Sequence, residues 1–214
     1  MPALGSPAAI VFDLDGTLVD TVGARIDAWQ EAFAERGLTV SRRRLEPMIG
    51  MDGQMLAAEV IGDDAAAEEV DRRAGELFDA RNRDPQPLPG ARELLDRLDR
   101  MDVTWAIATS SRAEQVTTSV GALALASEPR IVDGSSVRHA KPAPDLLLRA
   151  ARELGVAPEA TWYVGDSTWD MRAAVAADMR AIGVTAGAAV SDEALREAGA
   201  DAVIGSLDQL ELGR

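Results

Sequence analysis

The sequence predicts an α/β fold: a parallel β-sheet core covered by helices on both faces, with an α-helical cap domain inserted after the first strand. Three observations carry this. Beyond residue 90, short apolar runs alternate with helical stripes, the pattern of repeated strand–helix–strand units. Between residues 22 and 84, helix follows helix. Ahead of that block stands one short apolar run, residues 8–13, broken by Gly16 and carrying Asp13 and Asp15 at its end.

Taken in order, the run 8–13 is the first strand. Val22, Ile26, Trp29 and Phe33 then recur at helical spacing, and Gly37 stands where a helix stops. Short helices are expected over 41–48 and 52–60 and a longer one over 64–82. Residues 83–90 contain three prolines and read as a linker. Ala91, Leu94, Leu95, Leu98 and Met101 form the next helical stripe, followed by an apolar strand over 103–109. Further strands are expected at 130–133, 161–164, 179–184 and 201–204, with helices at about 112–120, 143–154, 168–177 and 192–198. The expected division is a core of residues 1–18 and 89–214 around a helical cap of residues 19–88. No internal repeat or low-complexity tract interrupts it.

Composition narrows the function. A net charge of −14 opposes binding to nucleic acid or to an anionic membrane. Any anionic substrate must therefore be held by local cations or a bound metal. No run of 18 apolar residues exists, so no transmembrane helix is expected. The N-terminus lacks a basic segment and a long apolar stretch, and the chain has no cysteine; a cytoplasmic setting without disulfides is the expectation. A single histidine argues against a His-rich metal site or a His-based triad. Oligomeric state has no signature in the sequence.

Four clusters bear chemistry. Asp13 and Asp15, at i and i+2 on a strand, point the same way. Ligands of open parallel sheets bind beyond the carboxyl ends of the strands. Two carboxylates there, followed by Gly16 and Thr17, suit a hard cation with oxygen ligands, and one of them suits attack on phosphorus. A solvated acidic turn is the blander reading. Asp166 and Asp170 open a predicted helix, where they serve as metal ligands or merely answer the helix dipole. Thr109, Ser110 and Ser111 end a strand; hydroxyls and amides there bind phosphate oxygens or cap the next helix. Lys141 is the only lysine among 22 basic residues, and an ammonium is a compact point charge where a guanidinium is a wide fork. Together the four, each at a strand end or just before a helix, point to metal-assisted phosphoryl transfer.

On these residues the chain resembles the haloacid dehalogenase (HAD) superfamily, in the helical-cap subgroup that includes phosphoglycolate phosphatase and β-phosphoglucomutase-like hydrolases. The segment Phe12-Asp-Leu-Asp-Gly-Thr-Leu-Val-Asp-Thr21 matches the first motif, Thr109 the second, Lys141 in Lys-Pro-Ala-Pro-Asp145 the third, and Gly165-Asp-Ser-Thr-Trp-Asp170 the fourth. The likeness runs over nearly the whole chain. It implies a Rossmann-like core, Mg²⁺ as cofactor and a phosphatase or phosphomutase acting on small phosphorylated metabolites. It implies that Asp13 attacks phosphorus and that Asp15 protonates the leaving oxygen, later activates water, and lends its backbone carbonyl to the metal. Asp13 and Asp166 would ligate Mg²⁺, with Asp170 supporting the metal waters. Thr109 and Lys141 would bind the phosphoryl group, aided by backbone amides near Leu14 and Ser110. Ala140 stands where a glycine is common, and Ala113 where some relatives carry a polar residue.

Within that resemblance, Asp15 argues for an oxygen leaving group, because a halide needs no proton on departure. A phosphonatase needs a cap lysine, and this cap has none. A β-phosphoglucomutase-like mutase shares all four motifs but normally takes a lysine from its cap. A non-catalytic phosphometabolite-binding protein has little need for both Asp13 and Asp15. Substrate contacts are expected from the turn Gly50-Met-Asp-Gly53 and from one or two of Arg25, Arg42, Arg43, Arg44, Arg72, Arg73, Arg81 and Arg83. Phosphoglycolate and sugar phosphates are the first candidates by analogy. His139 reads as a loop histidine with a local hydrogen bond, Trp105 and Trp162 as structural. Trp29 and Trp169 are candidates for the pocket or for packing.

Overall fold

The computed structural model describes residues 6–213. In chain order the elements are β1 (Ala9–Phe12), β2 (Val19–Asp20), α1 (Val22–Ala34), α2 (Arg42–Leu45), α3 (Gly53–Ile61), α4 (Asp64–Arg81), β3 (Gln86–Pro87), α5 (Ala91–Arg100), β4 (Thr104–Ala108) and α6 (Ala113–Ala122). They continue as β5 (Ile131–Val132), α7 (Asp145–Leu154), β6 (Thr161–Gly165), α8 (Thr168–Ala176), β7 (Arg180–Val184), α9 (Asp192–Glu197) and β8 (Ala202–Ile204).

Six strands form one parallel sheet in the order β5-β4-β1-β6-β7-β8. This is a doubly wound, Rossmann-like order, and it reverses between β1 and β6. The two-residue period of a strand distributes β1 between two layers. Ile10 and Phe12 pack with Leu94, Leu95 and Leu98 of α5 on one face. Val11 packs with Leu146 and Leu147 of α7 and Met171 of α8 on the other. A third cluster belongs to the inserted helices: Val22, Ile26 and Phe33 of α1 meet Leu56 of α3 and Val70, Leu77 and Phe78 of α4. Trp29 stacks on Phe33 within it, at 5.6 Å between ring centroids.

Two local features differ from the sequence expectation. The proline-rich segment 83–90 is not a plain linker: β3 within it pairs antiparallel with β2, setting Val19 opposite Pro87 and Asp20 opposite Gln86. Two residues are too few to show a period, and a proline belongs on such an edge. The helix expected over 41–48 divides into α2 and a 3₁₀ turn over Glu46–Met48, where Pro47 has no N–H to continue the α-helical ladder.

Candidate active site

Asp13 leaves β1 and Asp166 leaves β6, the two strands flanking the point where the sheet order reverses. The Asp13 N–H donates to the Val164 carbonyl at 2.8 Å, so the ladder carries through to the first carboxylate. Gly16 then turns the chain back with φ +82°, and a Cβ there would lie 2.3 Å from Asp166 Oδ2. Only glycine allows both the backbone conformation and that approach. Thr17 Oγ1 donates to Asp166 Oδ1 at 3.0 Å.

Lys141 is 1% exposed, and its ammonium donates to Asp13 Oδ1 at 2.5 Å and to Asp170 Oδ1 at 2.8 Å. The hydroxyl of Tyr163 also donates to Asp170 Oδ1, at 3.0 Å. The other Asp170 oxygen accepts from the Ser167 N–H and hydroxyl as part of the capping box of α8. Asp170 is thus held on both oxygens and orients Lys141. Carboxylate oxygens of Asp13, Asp166 and Asp170 lie within 4.8 Å of one another, all buried. Burial, then the neighbouring charge of Asp170, pushes Asp13 up to about 7, with Lys141 pulling the other way. Burial and the charges of Asp170 and Asp13 likewise push Asp166 well above the carboxylate range. Burial alone would lower Lys141, but Asp13 and Asp170 reverse this and raise it. Three crowded carboxylates facing one ammonium fit a hard divalent cation: the donors are all oxygen and the excess charge is negative.

Asp15 stands apart from that cluster. Its Oδ1 accepts from Thr21 at 2.7 Å, and its Oδ2 accepts from the Ser111 hydroxyl at 2.5 Å and from Arg25 at 3.1 Å. Arg25 comes from α1 of the cap, also donates to Ser111 Oγ at 2.9 Å, and lies 3.9 Å over the Phe78 ring. Thr109 is buried beyond β4 and its hydroxyl accepts from the Ser111 N–H at 3.1 Å. The Ser110 hydroxyl oxygen is buried on the same cleft with no partner among the described residues. An orphaned hydroxyl there is a donor in want of an acceptor. Leu14 buries its side chain in the core, so any part it takes in the site is its backbone's.

The cleft joins these residues to the cap. Gly50, Met51, Asp52 and Gly53 all line it, as do Trp29, Asp71 and, from the core side, Arg112. Of the cap arginines singled out from sequence, Arg25 alone lines it. Arg42 pairs with Asp27, Arg73 with Glu35 and Arg81 with Glu31, all on the surface. His139 is exposed and meets Asp145 at 2.9 Å. Trp169 binds core to cap instead of facing the cleft: its Nε1 donates to the Pro47 carbonyl at 2.9 Å. Trp105 packs edge-on against Phe12, and Trp162 is buried.

Sequence reasoning missed Asp71, Arg112 and Tyr163, and placed Thr21 in the first motif without foreseeing its bond to Asp15. Arg112 pairs with Asp71 across the cleft. Burial raises the Asp71 carboxyl, Arg112 lowers it and Asp52 raises it again. One signal was available for Arg112: it directly follows Thr109-Ser-Ser, at the start of the helix that opens on the cleft. Tyr163 looks like any core aromatic of a strand, and nothing local marks Asp71.

Residues 10–184 match the haloacid dehalogenase-like hydrolase family, and the chain belongs to it. A relative named probable phosphatase IndB, from Dickeya dadantii, is 34% identical over 194 residues, covering 86% of this chain and 84% of its own. A phosphoglycolate phosphatase from Xanthomonas campestris pv. campestris is 30% identical over 197 residues, covering 87% of each. The crystal structure of a hydrolase from Pseudomonas syringae superposes with a TM-score of 0.88 at 32% identity, covering 93% of this chain and 94% of that one.

Proposed function

We propose that this chain is a Mg²⁺-dependent phosphomonoesterase of small phosphorylated metabolites that works through an aspartyl-phosphate on Asp13. The observation that carries the reading is the separation of two carboxylates, two residues apart, into different environments. Asp13 lies among Lys141, Asp166 and Asp170, where a phosphoryl group and a cation would be held. Asp15 is bound instead by Thr21, Ser111 and Arg25, at the mouth of the cap. One carboxylate serves as nucleophile and the other as acid and base.

In this reading an Asp13 oxygen attacks phosphorus, the bond to the ester oxygen breaks, and Asp15 gives that oxygen its proton. Water then gives a proton to Asp15 and attacks the aspartyl-phosphate, releasing inorganic phosphate and restoring Asp13. Lys141, Thr109 and the orphaned Ser110 hydroxyl hold phosphoryl oxygens. Asp13 and Asp166 would hold Mg²⁺, with Asp170 behind them. The ion supplies neutralisation of phosphoryl charge. Positioning and charge neutralisation are most of what phosphoryl transfer requires. The two-domain division, residues 1–18 and 89–214 around 19–88, belongs to this reading, because it lets the helices carrying Arg25 and Gly50–Gly53 close on the site. So does a cytoplasmic setting; among the described residues no helix is long and apolar enough to cross a membrane.

The test is phosphate release from a panel of phosphorylated metabolites, with and without Mg²⁺, beside the Asp13→Asn variant. Metal-dependent turnover that disappears in the variant supports the reading. Metal-bound, folded protein with no turnover on any ester overturns it.

A further inference from the structure

The cleft carries five carboxylates, Asp13, Asp15, Asp52, Asp71 and Asp166, against three basic side chains, Arg25, Arg112 and Lys141. Each basic group is already engaged. Lys141 bridges Asp13 and Asp170, Arg25 holds Asp15, and Arg112 holds Asp71. A divalent cation on the inner carboxylates and a phosphoryl dianion on Lys141 offset each other, so loading the inner half of the cleft brings in no net charge. They leave the outer half as it is, with Asp52 and Asp71 and no guanidinium to spare.

Recognition of a second phosphate or a carboxylate calls for a free, forked cation. Here such a group would have to displace Asp71 from Arg112 or Asp15 from Arg25. The first uncovers a partly buried carboxylate, and the second releases the proposed acid–base residue. What the outer half offers instead is acceptors. Asp71 and Asp52 line it together with the side chain of Gln115. Asp52 Oδ1 accepts the Met55 N–H at 3.0 Å as the cap of α3, a bond that does not engage its second oxygen. Acceptors of this kind match hydroxyl donors, and carboxylates set against a second anionic group repel it.

Resting on the phosphatase reading, we infer that the substrate is a phosphomonoester of an uncharged, hydroxyl-bearing alcohol, and that Asp71 and Asp52 exclude esters bearing a second anionic group. Phosphoglycolate, phosphoglycerate and bisphosphates are poor substrates on this account.

The experiment compares kcat/KM, in Mg²⁺, for ribose 5-phosphate and glycerol phosphate against phosphoglycolate, 3-phosphoglycerate and fructose 1,6-bisphosphate. The expected result is a preference of at least about tenfold for the esters with neutral alcohols. Asp71→Asn, which frees Arg112, and Asp52→Asn, which keeps an equally good helix cap, should each narrow that preference several-fold. Equal or better turnover of the doubly anionic esters, or an unchanged preference in both folded variants, overturns the inference and leaves the phosphatase reading intact. The same two groups of esters are titrated into the Asp13→Asn protein and binding is followed by calorimetry. If the wild type turns nothing over, the phosphatase reading fails by itself. Tighter binding of the neutral-alcohol esters by Asp13→Asn then still supports the charge selection, and no such preference removes it.

Discussion

Arg25, on the first of the inserted helices, donates to Asp15 at 3.1 Å and to Ser111 at 2.9 Å, so a residue of α1 helps to hold a carboxylate of the loop that follows β1. The guanidinium is fixed from its other side by the Phe78 ring. The proposed acid–base residue therefore takes one of its three side-chain hydrogen-bond donors from α1, the others being Thr21 and Ser111. Arg25→Ala should lower kcat about 10- to 100-fold, no more than the lower end of the ~10²–10⁴ that positioned proton transfer contributes because Thr21 and Ser111 still hold Asp15, while KM changes less. Steady-state kinetics alongside a thermal melt separate this from simple unfolding. A change confined to KM would show that Arg25 binds substrate and does not position Asp15.

Asp13→Asn should keep the fold and lose turnover by several orders of magnitude, because it removes the attacking oxygen and keeps the shape of the side chain. Circular dichroism checks the first half and phosphate release the second.

Lys141 cannot be exchanged for arginine without cost. It is buried between two carboxylates at 2.5 and 2.8 Å, and a planar fork does not fit where a point charge does. Lys141→Arg should reduce kcat/KM at least about a hundredfold. Lys141→Ala leaves Asp13 and Asp170 buried without their cation and should cost about 3–5 kcal/mol in urea denaturation without added metal.

Metal binding should be linked to protons. Asp13, raised to about 7, carries its proton about half the time near neutral pH without a cation, and Asp166 is shifted in the same direction by burial and the neighbouring carboxylates. A cation binds their ionised forms, so its binding releases protons, its apparent affinity falls as pH drops below about 7 and rises as pH climbs through it. Calorimetric titration of Mg²⁺ at pH 6 and pH 8, in buffers of different ionisation enthalpy, measures both effects. By the same linkage, chelation should lower the melting temperature: a ligand at a hundred times its Kd adds about 2.7 kcal/mol.

The cap loop should be intolerant at Gly50. Its φ is +95°, and a Cβ would lie 2.5 Å from Ser167 Oγ, beside the capping box that holds Asp170. Gly50→Ala should destabilise the protein by about 1–2 kcal/mol from the backbone alone. Thermal denaturation reads the stability, and kcat on the best substrate reads any disturbance passed through Ser167 to Asp170.

The strands, the helices and the four motif clusters were legible in the sequence because their signals are local. The alternation of Ile10, Val11 and Phe12 between two faces, or the stripe of Leu94, Leu95 and Leu98, is written in the spacing of neighbours. The placing of Asp13, Thr109 and Asp166 at strand ends follows from those runs together with the rule that parallel sheets bind ligands at their carboxyl edges. The pairing of β2 with β3 was not legible, since two residues opposite a proline carry no period.

By itself, then, the sequence determined the α/β architecture, the inserted helices, and the kinds of group the site would contain. The tertiary structure alone decided which charge meets which. Lys141 reaches Asp13 across 128 positions of chain, and Arg112 reaches Asp71 across 41. A charged side chain on a helix looks the same in sequence whether it ends in solvent, as Arg42 does, or in the cleft, as Arg25 does. Its partner depends on how the cap helices rest on the sheet, and that docking is set by many weak, nonlocal contacts that leave no periodic trace in the chain.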